Sequence, residues 1–177
     1  MLNEMVRGVK DYLTTMTALR KANESDIDKL SILFDDYRVF YKKKTDVEGA
    51  KKFLIERIKN NESQIFVAEN DERELMGFVQ LYPVFSSTRM KRLWLLNDLF
   101  VKPAFRSKGV SIALIDECKE LCRQSGSCGL LLETAKDNTI GNNLYLKTGF
   151  LLDDDHNYYE WETQPPQVKP ENHDARL

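Results

Sequence analysis

The segment with the clearest chemical signal runs from residue 97 to residue 111 and reads NDLFVKPAFRSKGVS. A predicted strand ends in it, a short loop containing Arg106, Ser107, Lys108 and Gly109 follows, and an amphipathic helix begins at once. Such a loop directs several backbone N–H groups and the positive end of a helix dipole toward one point, where a pyrophosphate can bind. Gly109 would allow close approach to the backbone, and the two cationic side chains would add charge. The same residues also fit an ordinary loop between a strand and a helix, because their spacing matches neither a P-loop nor the fingerprint G-x-G-x-x-G.

The residue inventory gives little support to other kinds of catalytic centre. Three cysteines, Cys118, Cys122 and Cys128, include two that are four apart on one predicted helix, a pattern that indicates reduced intracellular thiols packed as small apolar residues. With only two histidines, His156 and His173, a His-rich metal site is not expected. No G-x-S-x-G nucleophile elbow accompanies His156, so a Ser-His-Asp triad is not expected either.

Length and composition describe one globular domain. The 177 residues are 42% hydrophobic and carry 26 basic against 28 acidic side chains. A chain of this size can bury a core without disulfides, and its near-neutral charge gives no general attraction to nucleic acid. No apolar run reaches the roughly 18 residues of a membrane-spanning helix. We predict an extension at residues 1–15, a single domain at 16–161, a polar tail at 162–177 and a cytoplasmic location.

Two helices are predicted early in the chain. Ser25 is placed to cap the first, whose apolar positions continue to Tyr37 at helical spacing. The second opens with the capping-box pattern of Thr45 and Glu48. These two helices would cover one face of a sheet.

The rest of the chain predicts strands and two further helices. Apolar, β-rich runs at residues 64–69, 74–82 and 93–101 indicate three antiparallel strands. After them come an amphipathic helix at 109–123, a buried strand at 129–134, a helix at 138–148 and an aromatic, strand-like segment at 158–161. Together these patterns predict an α+β domain.

Two of these segments resemble the motifs of the GNAT superfamily of acetyl-CoA-dependent N-acetyltransferases. Asp98-Leu99-Phe100-Val101 followed by R-S-K-G-V-S matches the family's D-hydrophobic-hydrophobic-V and R/Q-x-x-G-x-G/A, with Ser111 in the last place. NTIGNNLYLKTGF, from residue 138 to residue 150, is similar to N-x-x-A-x-x-L-Y-x-x-x-G-F, with Gly141 in place of Ala. The resemblance covers about residues 16–161. The segment YPVFSST also resembles the spermidine/spermine and thialysine branch and small Hpa-like fungal enzymes.

The resemblance implies a fold and a seat for acetyl-CoA. The GNAT fold has a central mixed, mostly antiparallel sheet flanked by helices, and its fourth and fifth strands splay so that pantetheine lies between them. Backbone groups of the fourth strand would bind pantetheine and the following loop would bind pyrophosphate, a set that comprises Leu99, Phe100, Val101, Arg106, Ser107, Lys108, Gly109, Val110 and Ser111. Asn138 would also bind pantetheine, although it is equally suited to a plain helix N-cap.

Acetyl transfer to an amine calls for a base and an acid. The resemblance implies that Tyr145 is the acid that protonates the leaving thiolate, although a core aromatic is an alternative. Asp98 and Glu133 are the two carboxylates that could serve as base, or they could be structural. Because side chains alternate on a strand, Asn97 and Asp98 are expected on opposite faces. Asn97 stands where the polyamine branch often has Glu.

The acceptor would be a small primary amine or, as an alternative, a protein lysine. Tyr37, Tyr41, Phe85 and Asn97 are candidates for its pocket. The aspartates at 153–155 could attract a cationic amine or form a solvated turn. The aromatic residues at 158–161 offer an edge through which a homodimer could pair. A non-catalytic CoA-sensing module on the same fold remains an alternative function.

Overall fold

A computed structural model describes residues 18–161 and residue 163. Five strands form one sheet in the order β1-β2-β3-β4-β5, in which neighbours are antiparallel except for the parallel pair β4 and β5. The strands are β1 (Ala18–Lys21), β2 (Gln64–Glu69), β3 (Leu75–Ser86), β4 (Lys91–Val101) and β5 (Leu130–Leu131). The predicted mixed, mostly antiparallel sheet is confirmed. The predicted extension at 1–15, and the tail apart from residue 163, lie outside the described residues.

Four helices cover the two faces of the sheet. They are α1 (Ile27–Phe40), α2 (Val47–Lys59), α3 (Val110–Gln124) and α4 (Thr139–Lys147). On one face, α1 and α2 pack Leu30, Leu33 and Leu54 against Phe78 and Phe100. On the other face the core includes Leu81, Leu96, Leu114 and Ile115, with Leu144 of α4 packed against it. The architecture is therefore α+β, as predicted. Within residues 18–161, every helix is too short or too polar to cross a bilayer.

The first two helices begin one or two residues away from the predicted caps. Asn23 rather than Ser25 caps the short 3-10 turn that precedes α1, and its side chain accepts the N–H of Ser25 at 2.9 Å. Asp46 caps α2 by accepting the N–H of Gly49 at 2.8 Å. Thr45 instead donates its hydroxyl to a carboxylate of α1, so it ties the second helix to the first.

The hairpin between β3 and β4 is longer than predicted. β3 continues to Ser86 and β4 starts at Lys91, so most of the segment that follows Tyr82 is paired strand and only residues 87–90 form the turn. β5 is shorter than predicted, because only Leu130 and Leu131 pair with β4 before the two strands diverge. An apolar run shows where a strand can form, but its paired length depends on the neighbouring strand.

The predicted closing strand at residues 158–161 is wrong. The segment carries no strand, and its aromatic rings are almost fully exposed: 80% for Tyr158, 88% for Tyr159 and 84% for Trp161. A strand requires a partner for its backbone groups, and aromatic composition alone does not supply one.

Candidate active site

A β-bulge at Asn97 sets the direction of the residues around it. In the β3–β4 ladder Gln80 faces Asp98 and Leu81 faces Leu96, which leaves Asn97 as the extra residue. Because one inserted residue shifts the side-chain alternation, Leu96 packs into the α3 core while Asp98 lies on the α1 face. The predicted placement of Asn97 and Asp98 on opposite faces is wrong for this reason, and the Asn97 amide donates to Asp98 Oδ1 at 3.2 Å.

A gap opens beside β4 where β5 leaves it. β5 pairs with β4 only at Trp94 and Leu95, so from residue 96 to residue 101 β4 pairs with β3 alone among the described residues. The backbone of Leu99, Phe100 and Val101 therefore borders this gap. The strands separate as the sequence resemblance implied.

The loop after β4 has the backbone geometry of an anion site. Ser107 and Gly109 both adopt left-handed conformations, with φ of 60° and 82°, and Gly109 is the N-cap of α3. No side chain caps α3 within the described residues, so N–H groups of its first turn, which includes Val110 and Ser111, are free to bind a ligand. Consecutive N–H groups in such a turn form a concavity that suits phosphate oxygens.

The cationic side chains of this loop are turned toward aromatic rings. Arg106 donates its Nε–H to the Val101 carbonyl at 3.0 Å, and its guanidinium lies 5.4 Å from the Phe40 ring centre and 5.8 Å from that of Phe100. Lys108 Nζ lies 5.5 Å from the Phe105 ring centre. Arg106 thus connects the loop to the end of α1.

Asp98 differs from the other buried carboxylates. The described residues bury three of them, and two have arginine partners: Asp26 bonds Arg20 at 2.7 Å and Asp35 bonds Arg38 at 2.8 Å. Asp98 is only 5% exposed and forms no ion pair within residues 18–161.

The surroundings of these carboxylates shift their pKa values in opposite directions. A hydrogen bond from Arg20 lowers the pKa of Asp26, whereas burial raises the pKa of Asp98 despite hydrogen bonding from Asn97 and Tyr37. A buried carboxylate without a cation is costly in a purely structural role. It is a common feature of sites that bind or deprotonate a ligand.

Tyr37 and Tyr82 lie close enough to Asp98 for its charge to act on them, and Tyr41 and Tyr145 lie near Tyr37. Burial, and then the charge of Asp98, raise the pKa of Tyr37 and raise that of Tyr82 to about 12. Burial and the proximity of Tyr41 raise the pKa of Tyr145. The Tyr41 ring packs edge-on against Tyr37 with centres 5.0 Å apart, and the effect of Tyr41 on Tyr145 shows that the end of α1 lies near α4. Phenols kept neutral in this way can donate hydrogen bonds or protons.

The structure thus places Tyr37, Tyr41, Asn97 and Asp98 together beside the gap, with Tyr145 near Tyr37 and Tyr41, and we call this group of residues the cleft. Sequence reasoning missed Tyr82 and Phe40 as parts of it. The signal for Tyr82 was present in its spacing, because it lies two residues after Gln80, the cross-strand partner of Asp98. Phe40 could not be found in this way, since its role follows from the position of Arg106.

Phe85 and Glu133 lie away from this group. Phe85 is on the opposite face of the hairpin from Tyr82, where Arg92 stacks on it 5.0 Å from the ring centre and also on Trp94. That face is lined by α3, because the Trp94 indole donates to Ser125 at 3.0 Å. Glu133 is exposed on the coil that follows β5. The structure therefore does not bring Phe85 together with the cleft residues.

Asn138 caps the helix that carries Tyr145. Its Oδ1 accepts the N–H of Gly141 at 3.0 Å, and its Nδ2 donates to Thr134 at 2.9 Å. A Cβ at position 141 would lie 2.5 Å from that same Nδ2, so the glycine leaves room for the cap. This gives a physical reason for Gly141 where the similar motif has alanine.

A family model and several known proteins match most of the described chain. A family model described as Acetyltransferase (GNAT) family matches residues 29–150. An uncharacterized N-acetyltransferase of Bacillus subtilis (strain 168), YhfO, is 42% identical over 132 residues, which cover 75% of this chain and 88% of the relative. A probable acetyltransferase of Haemophilus influenzae is 34% identical over 119 residues, covering 67% of this chain and 82% of the relative.

A solved structure gives the same result at the level of the fold. The crystal structure of a probable acetyltransferase is similar with a TM-score of 0.80 and 34% identity, and the match covers 83% of this chain and 98% of the other. The family match includes Asp98, the loop at 106–111 and Tyr145, so the cleft lies within the shared region.

Proposed function

The chain belongs to the acetyltransferase (GNAT) family and is an N-acetyltransferase, and from this premise we propose that it moves the acetyl group of acetyl-CoA to a small primary amine at the Asp98–Tyr145 cleft. The observation that carries the assignment of the acceptor site is the buried, unpaired carboxylate of Asp98. The cation that Asp98 lacks would be the ammonium group of the acceptor. A non-catalytic CoA-sensing module is not favoured, since such a module has no need of this carboxylate.

The donor site fits the free backbone groups on β4 and α3. The pyrophosphate would bind at residues 106–111, where Ser107 and Gly109 are left-handed and the first turn of α3 has no side-chain cap. Backbone groups of Leu99, Phe100 and Val101 would bind the pantetheine arm along the unpaired edge of β4. Acetyl-CoA supplies an activated acetyl group as a thioester. Asn138 caps α4 through Oδ1 and bonds Thr134 with one hydrogen of Nδ2, so it would contact pantetheine through the second hydrogen of that nitrogen.

The chemistry on the enzyme side requires two proton transfers. Asp98 holds the acceptor ammonium and takes its proton, directly or through water, so that the neutral amine can attack the thioester carbon. Tyr145, whose hydroxyl is kept protonated by burial, donates a proton to the departing sulfur. Glu133 is the alternative base, but its side chain is exposed, so water rather than a buried site surrounds its carboxylate.

We propose direct attack with both substrates bound and without an acetyl-enzyme. Cys118 is the most buried of the three thiols, and burial raises the pKa of its thiol. It donates to the Leu114 carbonyl within its own helix at 3.1 Å. A protonated thiol in a helix–sheet core is a poor nucleophile.

Replacing Tyr145 by Phe tests the acid role. The ring still packs on Phe150, whose centre lies 5.8 Å away, so the fold should be kept. Removal of a general acid is expected to lower turnover by about 100-fold or more, with the affinity for acetyl-CoA nearly unchanged. Thiol release measured across a panel of amines, with calorimetry for binding, reports both quantities. Tyr158→Phe is the control, because Tyr158 is exposed outside the cleft.

The outcomes separate the proposals. Loss of turnover in the Tyr145 variant alone supports the acid role, and equal turnover in both variants removes Tyr145 from it. If wild-type protein binds acetyl-CoA but acetylates no amine in the panel, the proposed transfer to a small amine is wrong.

We also propose a cytoplasmic location and a homodimer. The described cysteines are all free thiols, which fits a reducing compartment. The exposed rings of Tyr158, Tyr159 and Trp161 offer a surface that a second copy could cover. Sedimentation of wild type and Trp161→Glu tests this: a dimer that the variant abolishes supports it, and a wild-type monomer contradicts it. The similarity of residues 82–88 to the polyamine branch stays a prediction.

A further inference from the structure

We infer that the acceptor is a primary monoamine with an apolar body, which lies along an uncovered strip of side chains on the β3–β4 hairpin. This inference rests on the proposed acetyl transfer and concerns the part of the acceptor beyond its reacting nitrogen.

The strip consists of Tyr82, Val84, Leu93 and Leu95, and it continues the face on which Asp98 lies. The cross-strand pairs are Tyr82 with Leu95 and Val84 with Leu93, and alternation places both pairs on one face of the hairpin. Each of the four is half-buried, yet none packs into the two helix–sheet cores. This face therefore presents apolar surface that the described helices leave uncovered.

The strip starts at the reacting position. Tyr82 lies two residues after Gln80, the cross-strand partner of Asp98, so the first pair of the strip borders the carboxylate. From Leu95 to Leu93 the strand advances by about 7 Å, which matches a chain of several carbons or a phenyl ring on a short linker. An ammonium on Asp98 thus directs the rest of a bound amine along these side chains.

Among the described residues, a second positive charge on the acceptor finds no free carboxylate beside Tyr82 other than Asp98. The other carboxylate whose charge acts on Tyr82 is Glu62, and Arg57 already bonds it. At the end of α1, the exposed Lys42, Lys43 and Lys44 follow Tyr41 directly, and none forms an ion pair within the described residues. A polyamine would therefore lose the hydration of its second ammonium without gaining a partner.

A carboxylate next to the reacting amine is also disfavoured. It would lie close to Asp98, whose charge no arginine or lysine of the described chain neutralises. Like charges at short range in a buried site repel strongly. The cleft thus selects against amino acids as well as polyamines.

A set of amines of matched length tests the inference. The probes are propylamine, hexylamine, 1,6-diaminohexane and 6-aminohexanoate, assayed by thiol release at saturating acetyl-CoA, together with spermidine and a panel of amino acids. We expect kcat/KM to rise about fourfold for each methylene that contacts the strip, so that hexylamine exceeds propylamine. Hexylamine should exceed diaminohexane at least tenfold. A higher kcat/KM for diaminohexane, spermidine or an amino acid overturns the inference but keeps the proposed transfer, whereas silence of every amine contradicts the transfer itself.

A variant in the strip provides the second arm. Leu95→Asp adds a carboxylate one pair from Asp98, and we expect the ratio of kcat/KM for diaminohexane to that for hexylamine to rise at least tenfold. Thr88→Asp adds the same charge at the exposed hairpin turn and should leave the ratio unchanged. If Leu95→Asp does not fold, Val84→Asp replaces it. An unchanged ratio in a folded strip variant shows that the strip does not contact the acceptor.

Discussion

Replacing Asp98 by Asn is expected to stabilise the fold while it abolishes activity. Asp98 is only 5% exposed, and its carboxylate accepts a hydrogen bond from the Asn97 amide and lies near Tyr37, but it has no cation partner within the described residues. An amide of the same shape keeps the packing and removes the charge. The residue that the reaction needs is thus one that the ligand-free fold would be more stable without.

The size of the effect follows from the cost of a poorly compensated buried group. Such a group costs about 1–3 kcal/mol, and for a domain of this size each kcal/mol shifts Tm by about 2–4 °C. We therefore expect Asp98→Asn to raise Tm at pH 7 by several degrees. Turnover should fall by about 100-fold or more, because the amide cannot accept the proton of the amine.

The pH dependence of the stability difference checks independently that Asp98→Asn stabilises the fold. Burial raises the pKa of Asp98 in the folded state above its unfolded value. The protonated carboxyl group therefore contributes stability that is fully present below the unfolded pKa and is lost as pH rises through the folded pKa. The advantage of the variant should therefore vanish near pH 3.5, grow above it and then level off. In the wild type, activity should fall as pH drops through the same folded pKa.

Calorimetric melting of ligand-free protein between pH 3.5 and pH 8 measures the stability, and thiol release measures the turnover. Asp26→Asn is the matched control, because it removes a buried carboxylate that Arg20 bonds at 2.7 Å. That variant should lose about 2 kcal/mol at pH 7. A Tm for Asp98→Asn equal to or below that of the wild type, or an advantage that persists at pH 3.5, refutes the reasoning about an uncompensated charge.

Two further predictions concern the donor site. Gly109→Ala should raise the Kd for CoA, measured by calorimetry, and should lower the free energy of unfolding by about 1–2 kcal/mol because φ of Gly109 is 82°. The control is Gly126→Ala, at a φ of 61° beyond the other end of α3, which should cost a similar amount of stability but leave the Kd unchanged. Asn138→Ala should lower stability by about 1 kcal/mol through loss of the α4 cap. An unchanged Kd in that variant would restrict Asn138 to the cap, and an unchanged Kd in Gly109→Ala would place the pyrophosphate elsewhere.

Local patterns in the sequence were sufficient for most of the elements. The helical spacing of α1 and α3 and the apolar runs of β2 to β4 depend on neighbours along the chain, so the sequence predicts them well. The loop at 106–111 could be proposed as a donor site because cationic residues, a glycine and a helix start follow one another directly in the sequence.

The predictions that failed depend on distant partners. The side-chain direction of Asp98 depends on the register with Gln80, which no period in β4 alone reveals. Phe85 was assigned to the acceptor pocket from its place after Tyr82, yet alternation in the paired hairpin turns it to the α3 face. The strand expected at 158–161 needed a neighbour that the described sheet does not provide.

The bulge at Asn97 decides on which face of the sheet Asp98 lies. Asn97 is the exposed, unpaired residue of the bulge, and its amide donates to Asp98. Pairing Asn97 with Gln80 in simple alternation would instead direct Asp98 to the face of Leu96, into the core formed with Leu114 and Ile115, where a carboxylate has no partner. Changes that close the bulge without removing a residue should therefore abolish activity, whereas deletion of Asn97 would leave Leu96 and Asp98 on opposite faces of the sheet.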